Sequence, residues 1–82
     1  MSLTRKLKIS SKDLIKFLKV NDFHIYQMNG SHSVLIQANS GIQLQIPTRK
    51  ELGRVTLEDA LDRAHLTMTK FFDFLGYSKS RP

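Results

Sequence analysis

Eighty-two residues without a cysteine make one domain with no disulfide, thiol nucleophile or cysteine zinc site, and a chain this short buries only about 60% of the surface its unfolded form exposes, which argues against a deep enclosed active site. Lysines and arginines outnumber aspartates and glutamates 13 to 7, and the formal charge of +6 attracts polyanions, nucleic acid first among them. The longest uninterrupted apolar run, Val34-Leu35-Ile36, is far below the roughly 20 residues that span a bilayer, so a soluble protein without a membrane partner is expected, and the lack of cysteines fits a reducing cytoplasm.

Residues 1–9 read as a basic arm without apolar periodicity. Its Arg5-Lys6-Leu7-Lys8 leads into Ser10-Ser11-Lys12-Asp13 and not into the apolar segment of a secretory signal. The domain is expected over 10–76. Ser10 or Ser11 caps a first helix, and Asp13 favours its positive N-terminal end. Leu14, Ile15, Phe17 and Leu18 recur on one side of that helix, while Lys12, Lys16 and Lys19 stack on the other. Such a stripe is either ordinary solvation or a row of phosphate contacts.

Asn21-Asp22 ends the helix, and Phe23 to Met28, aromatic and β-branched, reads as a strand. On it His24 shares a face with Tyr26 and Met28 and reads as a surface residue. Asn29-Gly30 signals a type I′ hairpin turn, with φ positive at both residues. A second strand runs from His32 to Gln37. Counting by two sets His32, Val34 and Ile36 on one face and Ser33, Leu35 and Gln37 on the other, so His32 is expected at the rim of the apolar face. There a half-sheltered imidazole can move protons near neutrality, although a lone histidine at a strand start is more often a hydrogen-bonded rim residue.

Ala38-Asn39-Ser40-Gly41 is a second turn, Ile42 to Ile46 alternates apolar and polar side chains, and Pro47 closes that strand. Thr48 to Val55 is a polar loop carrying Arg49, Lys50 and Arg54. Thr56 is expected to cap a helix with Leu57, Ala60, Leu61 and Ala64 inward. Glu58, Asp59 and Asp62 on it are expected to offset the helix dipole and be solvated. Thr67 caps a last helix with Met68, Phe71, Phe72 and Leu75 inward, Gly76 stops it, and 77–82 is a tail. The predicted fold is α+β, of order α-β-β-β-α(-α), with a three-stranded antiparallel sheet and the helices on one face.

A small basic domain of this order, with Gly30-Ser31-His32 opening strand two, Pro47 closing strand three, then Lys50-Glu51-Leu52-Gly53 and Thr56-Leu57, resembles the HicA toxins over about Ile9 to Leu75. The resemblance implies a double-stranded-RNA-binding-like fold and an mRNA interferase silenced by a cognate HicB antitoxin, here expected to be acidic. The family's catalytic histidine, the one in Gly-Ser-His, matches His32. Gly30, Ser31, Arg49, Lys50, Lys12, Lys16 and Lys19 are then the expected RNA-binding residues. The chain departs from the family pattern at Ser33 and at Thr48-Arg49, places where relatives carry further histidines, so Arg49 or Lys50 must hold RNA instead. At His65 relatives have glycine, and a left-handed residue there is costly for histidine.

RNA supplies its own nucleophile, the 2′-OH, so cleavage needs a base, neutralisation of the developing phosphorane charge, and help for the leaving 5′ oxygen. The expected chemistry demands no metal and no cofactor. Two other readings compete: a non-catalytic double-stranded-RNA binder, for which shape and basic charge suffice, and a protein-interaction domain whose basic face meets an acidic partner. For the acidic inhibitor that the ribonuclease reading implies, Leu35 or Tyr26 on an outer sheet face would supply apolar contacts at the centre of the interface.

Overall fold

Ser10 opens the first helix with a reciprocal cap. Its hydroxyl accepts the Asp13 N–H at 3.2 Å while the Asp13 carboxylate accepts the Ser10 N–H at 3.0 Å, which satisfies two of the donors that a helix start leaves without partners. In this computed structural model, which describes residues 8–76, the chain continues as α1 (Ser11–Val20), β1 (Phe23–Met28), β2 (His32–Gln37), β3 (Gln43–Pro47), α2 (Arg54–Arg63) and α3 (Met68–Leu75). The predicted α+β order is present.

The sheet is antiparallel in the order β1-β2-β3. Leu35 opposes Leu44 and Ser33 opposes Ile46, and these four are buried on the side where Leu14, Phe17 and Leu18 of α1, Leu57 and Leu61 of α2 and Phe71 of α3 complete the core. The helices therefore cover one sheet face. Phe17 ties α1 to α3, its ring centroid lying 5.1 Å from Phe71 and 5.3 Å from Phe74, a separation at which tilted aromatic pairs attract.

Several expectations are corrected. The face that packs on the helices is that of Ser33 and Leu35, so His32, Val34 and Ile36 lie on the outer face. Leu35, 0% exposed, is no candidate for an exposed contact. Val34 is itself only 9% exposed, so the central strand is apolar on both sides and its alternation does not reveal which side meets the helices. In β1 the register shifts between Ile25 and Gln27, a bulge at Tyr26. Two residues there oppose one, and the strand's parity reverses. Met28 consequently opposes Ser33 on the helix side, whereas His24 opposes Ile36 on the outer side.

Ile9, placed in the arm by sequence, is a core residue at 4% exposure, and its carbonyl accepts the Leu52 N–H. The rest of the arm up to Leu7, and the tail over 77–82, lie outside the described residues. Thr56 does not cap α2. The helix starts earlier, with Gly53 as N-cap and no side-chain cap bond, so Glu58 and Asp59 fall beyond its first turn and instead accept hydrogen bonds from Arg54 Nε at 2.8 Å and Arg63 Nε at 3.0 Å. Thr67 does cap α3, accepting the Lys70 N–H at 3.1 Å, and Gly76 ends it at φ 89°.

His65 takes the left-handed conformation at φ 60°. The Leu66 N–H reaches the Leu61 carbonyl at 2.8 Å and the His65 N–H reaches the Asp62 carbonyl at 3.0 Å. This pair of bonds is the Schellman ending that glycine normally makes at lowest cost. Local strain at His65 is accepted because Leu66 is thereby turned back against the core.

Candidate nucleic-acid interface around His32

The site begins with the turn that joins β1 to β2. Asn29 Oδ1 accepts the N–H groups of Ser31 and His32, each at 2.9 Å, and the Asn29 N–H reaches the His32 carbonyl at 2.9 Å. The asparagine side chain thus stands in for a backbone carbonyl, as in an Asx turn. Neither Asn29 nor Gly30 has positive φ, so the expected type I′ turn is not formed. A side chain that satisfies both N–H groups removes the need for a left-handed pair.

His32 emerges from this turn half-buried, opposite Pro47 on the outer face. Its Nδ1 lies 3.2 Å from Ser31 Oγ. The loop after β3 is fastened to the same end of the sheet by a series of bonds. The Thr48 N–H reaches the Ser31 carbonyl at 2.8 Å. The next residue, Arg49, donates its N–H to Ser11 Oγ at 2.8 Å, while the Ser11 hydroxyl and N–H donate to the Arg49 carbonyl at 2.9 and 3.0 Å. Three chain segments are therefore tied together: the hairpin bearing Gly30, Ser31 and His32, the loop bearing Arg49 and Lys50, and the start of α1 bearing Lys12.

Helix α1 runs away from that junction. At 1.5 Å per residue Lys16 stands about 6 Å and Lys19 about 10 Å farther along the axis than Lys12. At the far end the Asn21 carbonyl accepts Gln37 Nε2 at 2.8 Å, and Gln37 is the last residue of β2, where His32 is the first. These bonds bring the hairpin segment of Gly30, Ser31 and His32, the loop segment of Arg49 and Lys50, and the start of α1 with Lys12 to one end of the sheet, and leave Lys19 toward the other end. Lys12, Lys16 and Lys19 are exposed along α1 as a stripe that leads away from that end.

These cations are electrostatically available. Lys12, Lys16, Lys19, Arg49 and Lys50 are exposed and share in no ion pair between described residues; such pairs occur on α2, at Arg54–Glu58 and Arg63–Asp59. Hydrogen bonding to Glu58, with the attraction of its charge, raises the Arg54 guanidinium further above its already high pKa. Among the described residues the positive surplus accordingly lies on α1 and the β3–α2 loop, while Arg5, Lys6, Lys79 and Arg81 add four positive charges in the rest of the sequence.

The outer face beside His32 carries Val34, Ile36, Gln43, Gln45 and Gln27, with Tyr26 69% exposed at the bulge. It holds uncharged side chains and two histidines. His24 opposes Ile36, four residues along β2 from His32, or about 13 Å at strand rise, and His65 sits on the α2–α3 turn. His32 is therefore a single imidazole and not half of a histidine pair. Among the described residues no three His, Asp or Glu side chains form a metal-binding group.

No family model, curated protein or solved structure matches the chain. The chemistry available is that of the groups themselves: one imidazole at a wet rim, a hydroxyl against its Nδ1, and cations on the adjoining loop and helix start that form no ion pair among the described residues. Sequence reasoning missed Ser11 and Asn29 as organisers of this end. Asn29 had a visible signal, an asparagine followed by Gly-Ser, which also suits an Asx turn. Ser11 had none, because its partner Arg49 is 38 residues away.

Proposed function

We propose that this domain is a metal-independent endoribonuclease of the HicA kind, the toxin of a toxin–antitoxin pair, in which His32 transfers the proton at the scissile phosphodiester of mRNA. The observation that carries this reading is the junction that sets half-exposed His32 beside the Arg49-Lys50 loop, made by the 2.8 Å bond from the Thr48 N–H to the Ser31 carbonyl. A phosphate seated on that loop brings the adjoining 2′-OH toward the imidazole. His32 then takes the 2′-OH proton as that oxygen attacks phosphorus, and the P–O5′ bond breaks, the departing 5′ oxygen taking a proton from the imidazolium or from water, to leave a 2′,3′-cyclic phosphate and a 5′-hydroxyl. Arg49, Lys50 and Lys12 offset the charge that builds on the non-bridging oxygens. Arg49 and Lys50 also answer the departure from the family pattern, supplying cations where relatives carry histidines after the proline.

The reading places the protein in the cytoplasm with its substrate and implies an acidic, HicB-like antitoxin that covers the same basic end. Complementary charge makes such an association fast and salt-sensitive. Tyr26, exposed on the outer face, offers an apolar anchor in place of buried Leu35.

The test is cleavage of single-stranded RNA in EDTA by the purified protein and by His32→Ala. The parent should cut and the variant should not, with both giving the same circular dichroism and melting midpoint, because a rim side chain contributes little to the core. Equal cleavage by the variant, or a parent that cuts only with added Mg²⁺, would refute the proposal. A second reading, a non-catalytic double-stranded-RNA binder, is favoured by one observation: the stripe of Lys12, Lys16 and Lys19 extends well beyond the reach of His32. Gel-shift of an RNA duplex with no cleavage of any RNA would support it.

A further inference from the structure

We infer that Asn29 and Ser31 are positioning residues that hold the His32 imidazole as the Nδ1–H tautomer, leaving the Nε2 lone pair as the group that meets substrate. The inference about catalysis rests on the ribonuclease reading above; the inference about the tautomer does not.

A serine hydroxyl has one proton to give. Ser31 Oγ lies 3.2 Å from Asn29 Oδ1, an atom with no proton of its own, so the hydroxyl donates there. The same oxygen is 3.2 Å from His32 Nδ1. With its proton committed to Asn29, Ser31 Oγ can meet Nδ1 only as acceptor, and the Nδ1 proton must be present. The neutral ring then has its lone pair on Nε2, which has no hydrogen-bond partner among the described residues.

Ser31 is well fixed for this task. Its N–H is held by Asn29 Oδ1 at 2.9 Å and its carbonyl by the Thr48 N–H at 2.8 Å, so the backbone is anchored on both sides of the hydroxyl. Asn29 therefore does two things with one oxygen, shaping the turn and orienting the serine proton. The logic matches that of a group that fixes a general base through its other ring nitrogen, with a serine hydroxyl in place of a carboxylate. A hydroxyl acceptor is neutral, so it selects the tautomer without adding a negative charge beside the RNA phosphate.

The test is long-range proton–nitrogen correlation NMR on ¹⁵N-labelled protein, at a pH where the His32 ring is neutral, for the parent, Ser31→Ala, Asn29→Ala and Asn29→Asp. The parent should show Nδ1–H, and Ser31→Ala and Asn29→Ala should move the ring toward Nε2–H. Asn29→Asp, which keeps an acceptor oxygen in place, should retain Nδ1–H. In cleavage assays Ser31→Ala should lower kcat about tenfold with KM little changed, the loss of one positioning hydrogen bond. A parent ring found as Nε2–H, or a tautomer that ignores Ser31→Ala, would overturn the inference whatever the cleavage rates. A parent with the Nδ1–H tautomer that cuts no RNA would leave the positioning intact and remove the nuclease reading.

Discussion

Replacing Ser11 with alanine probes how the cationic loop is held at the site. Ser11 is 5% exposed, and its hydroxyl both donates to the Arg49 carbonyl at 2.9 Å and accepts the Arg49 N–H at 2.8 Å. In Ser11→Ala the Arg49 carbonyl keeps the backbone N–H of residue 11 at 3.0 Å, but both part-buried hydrogen bonds of the hydroxyl to Arg49 are lost. At about 1 kcal/mol for each of the two hydrogen bonds lost, the substitution costs about 2 kcal/mol. For a domain of this size each kcal/mol moves the melting midpoint by about 4–8 °C, so a fall of about 8–16 °C is expected. Thermal melts by circular dichroism, with urea unfolding to show an unchanged m-value, measure it. RNA affinity at fixed salt should fall in parallel, because Arg49 and Lys50 are no longer pinned to the start of α1. A midpoint shift under about 2 °C, the range of ordinary surface changes, would refute the claim that this serine fastens the loop.

Further outcomes follow from the same geometry. His65→Gly should stabilise the domain by about 1 kcal/mol in urea unfolding, since it relieves a left-handed histidine at φ 60° while giving back part of the gain as chain entropy; a loss of stability would show that the turn is not strained by its side chain. The log–log salt dependence of single-stranded RNA binding should flatten by about 0.7 for each of Lys12→Ala, Arg49→Ala and Lys50→Ala if each meets one phosphate. Lys19→Ala, at the far end of α1, should flatten it by much less, and equal effects at all four positions would mean that RNA lies along the helix and not across the His32 end. With an acidic partner co-expressed from a neighbouring reading frame, amide exchange should slow over Gly30 to Val34 and over Arg49-Lys50; a tight partner that leaves both segments exchanging freely would contradict occlusion of the site.

Where a single local rule dominates, the chain is readable from its residues. The spans of β1 and β2 and the caps at Ser10, Thr67 and Gly76 follow from aromatic and β-branched runs and from hydroxyl or glycine at fixed helix offsets, and the structure has them where expected. The bulge at Tyr26 was not legible, because inserting one residue into a strand needs no glycine and leaves no mark in composition. The covered face of the sheet was hidden by Val34 and Leu35, adjacent residues that are both buried, so periodicity had no contrast to report. At Asn29-Gly30 two turn chemistries compete for the same dipeptide, and the side-chain acceptor prevailed over the left-handed pair. Gly53 begins α2 without a side-chain cap, which leaves Thr56 looking like the better start. As for the site, proximity of His32 to the Arg49-Lys50 loop was suggested by family resemblance alone. The bonds that create it join residues 17 and 38 positions apart, at Ser31–Thr48 and Ser11–Arg49, beyond the reach of any local pattern.

The measurement that bears most directly on His32 as the proton-transferring group for RNA's own 2′-OH is the chemistry of the cut ends. RNA cleaved in EDTA by the parent, with His32→Ala alongside, should carry a 2′,3′-cyclic phosphate on one fragment and a 5′-hydroxyl on the other, a single 2′-deoxy substitution at the cut position should abolish cleavage there, and the variant should yield no such ends. Fragments bearing 5′-phosphate and 3′-hydroxyl, or undiminished cutting at the deoxy position, would show that water and not the 2′-OH attacks phosphorus and would contradict the account.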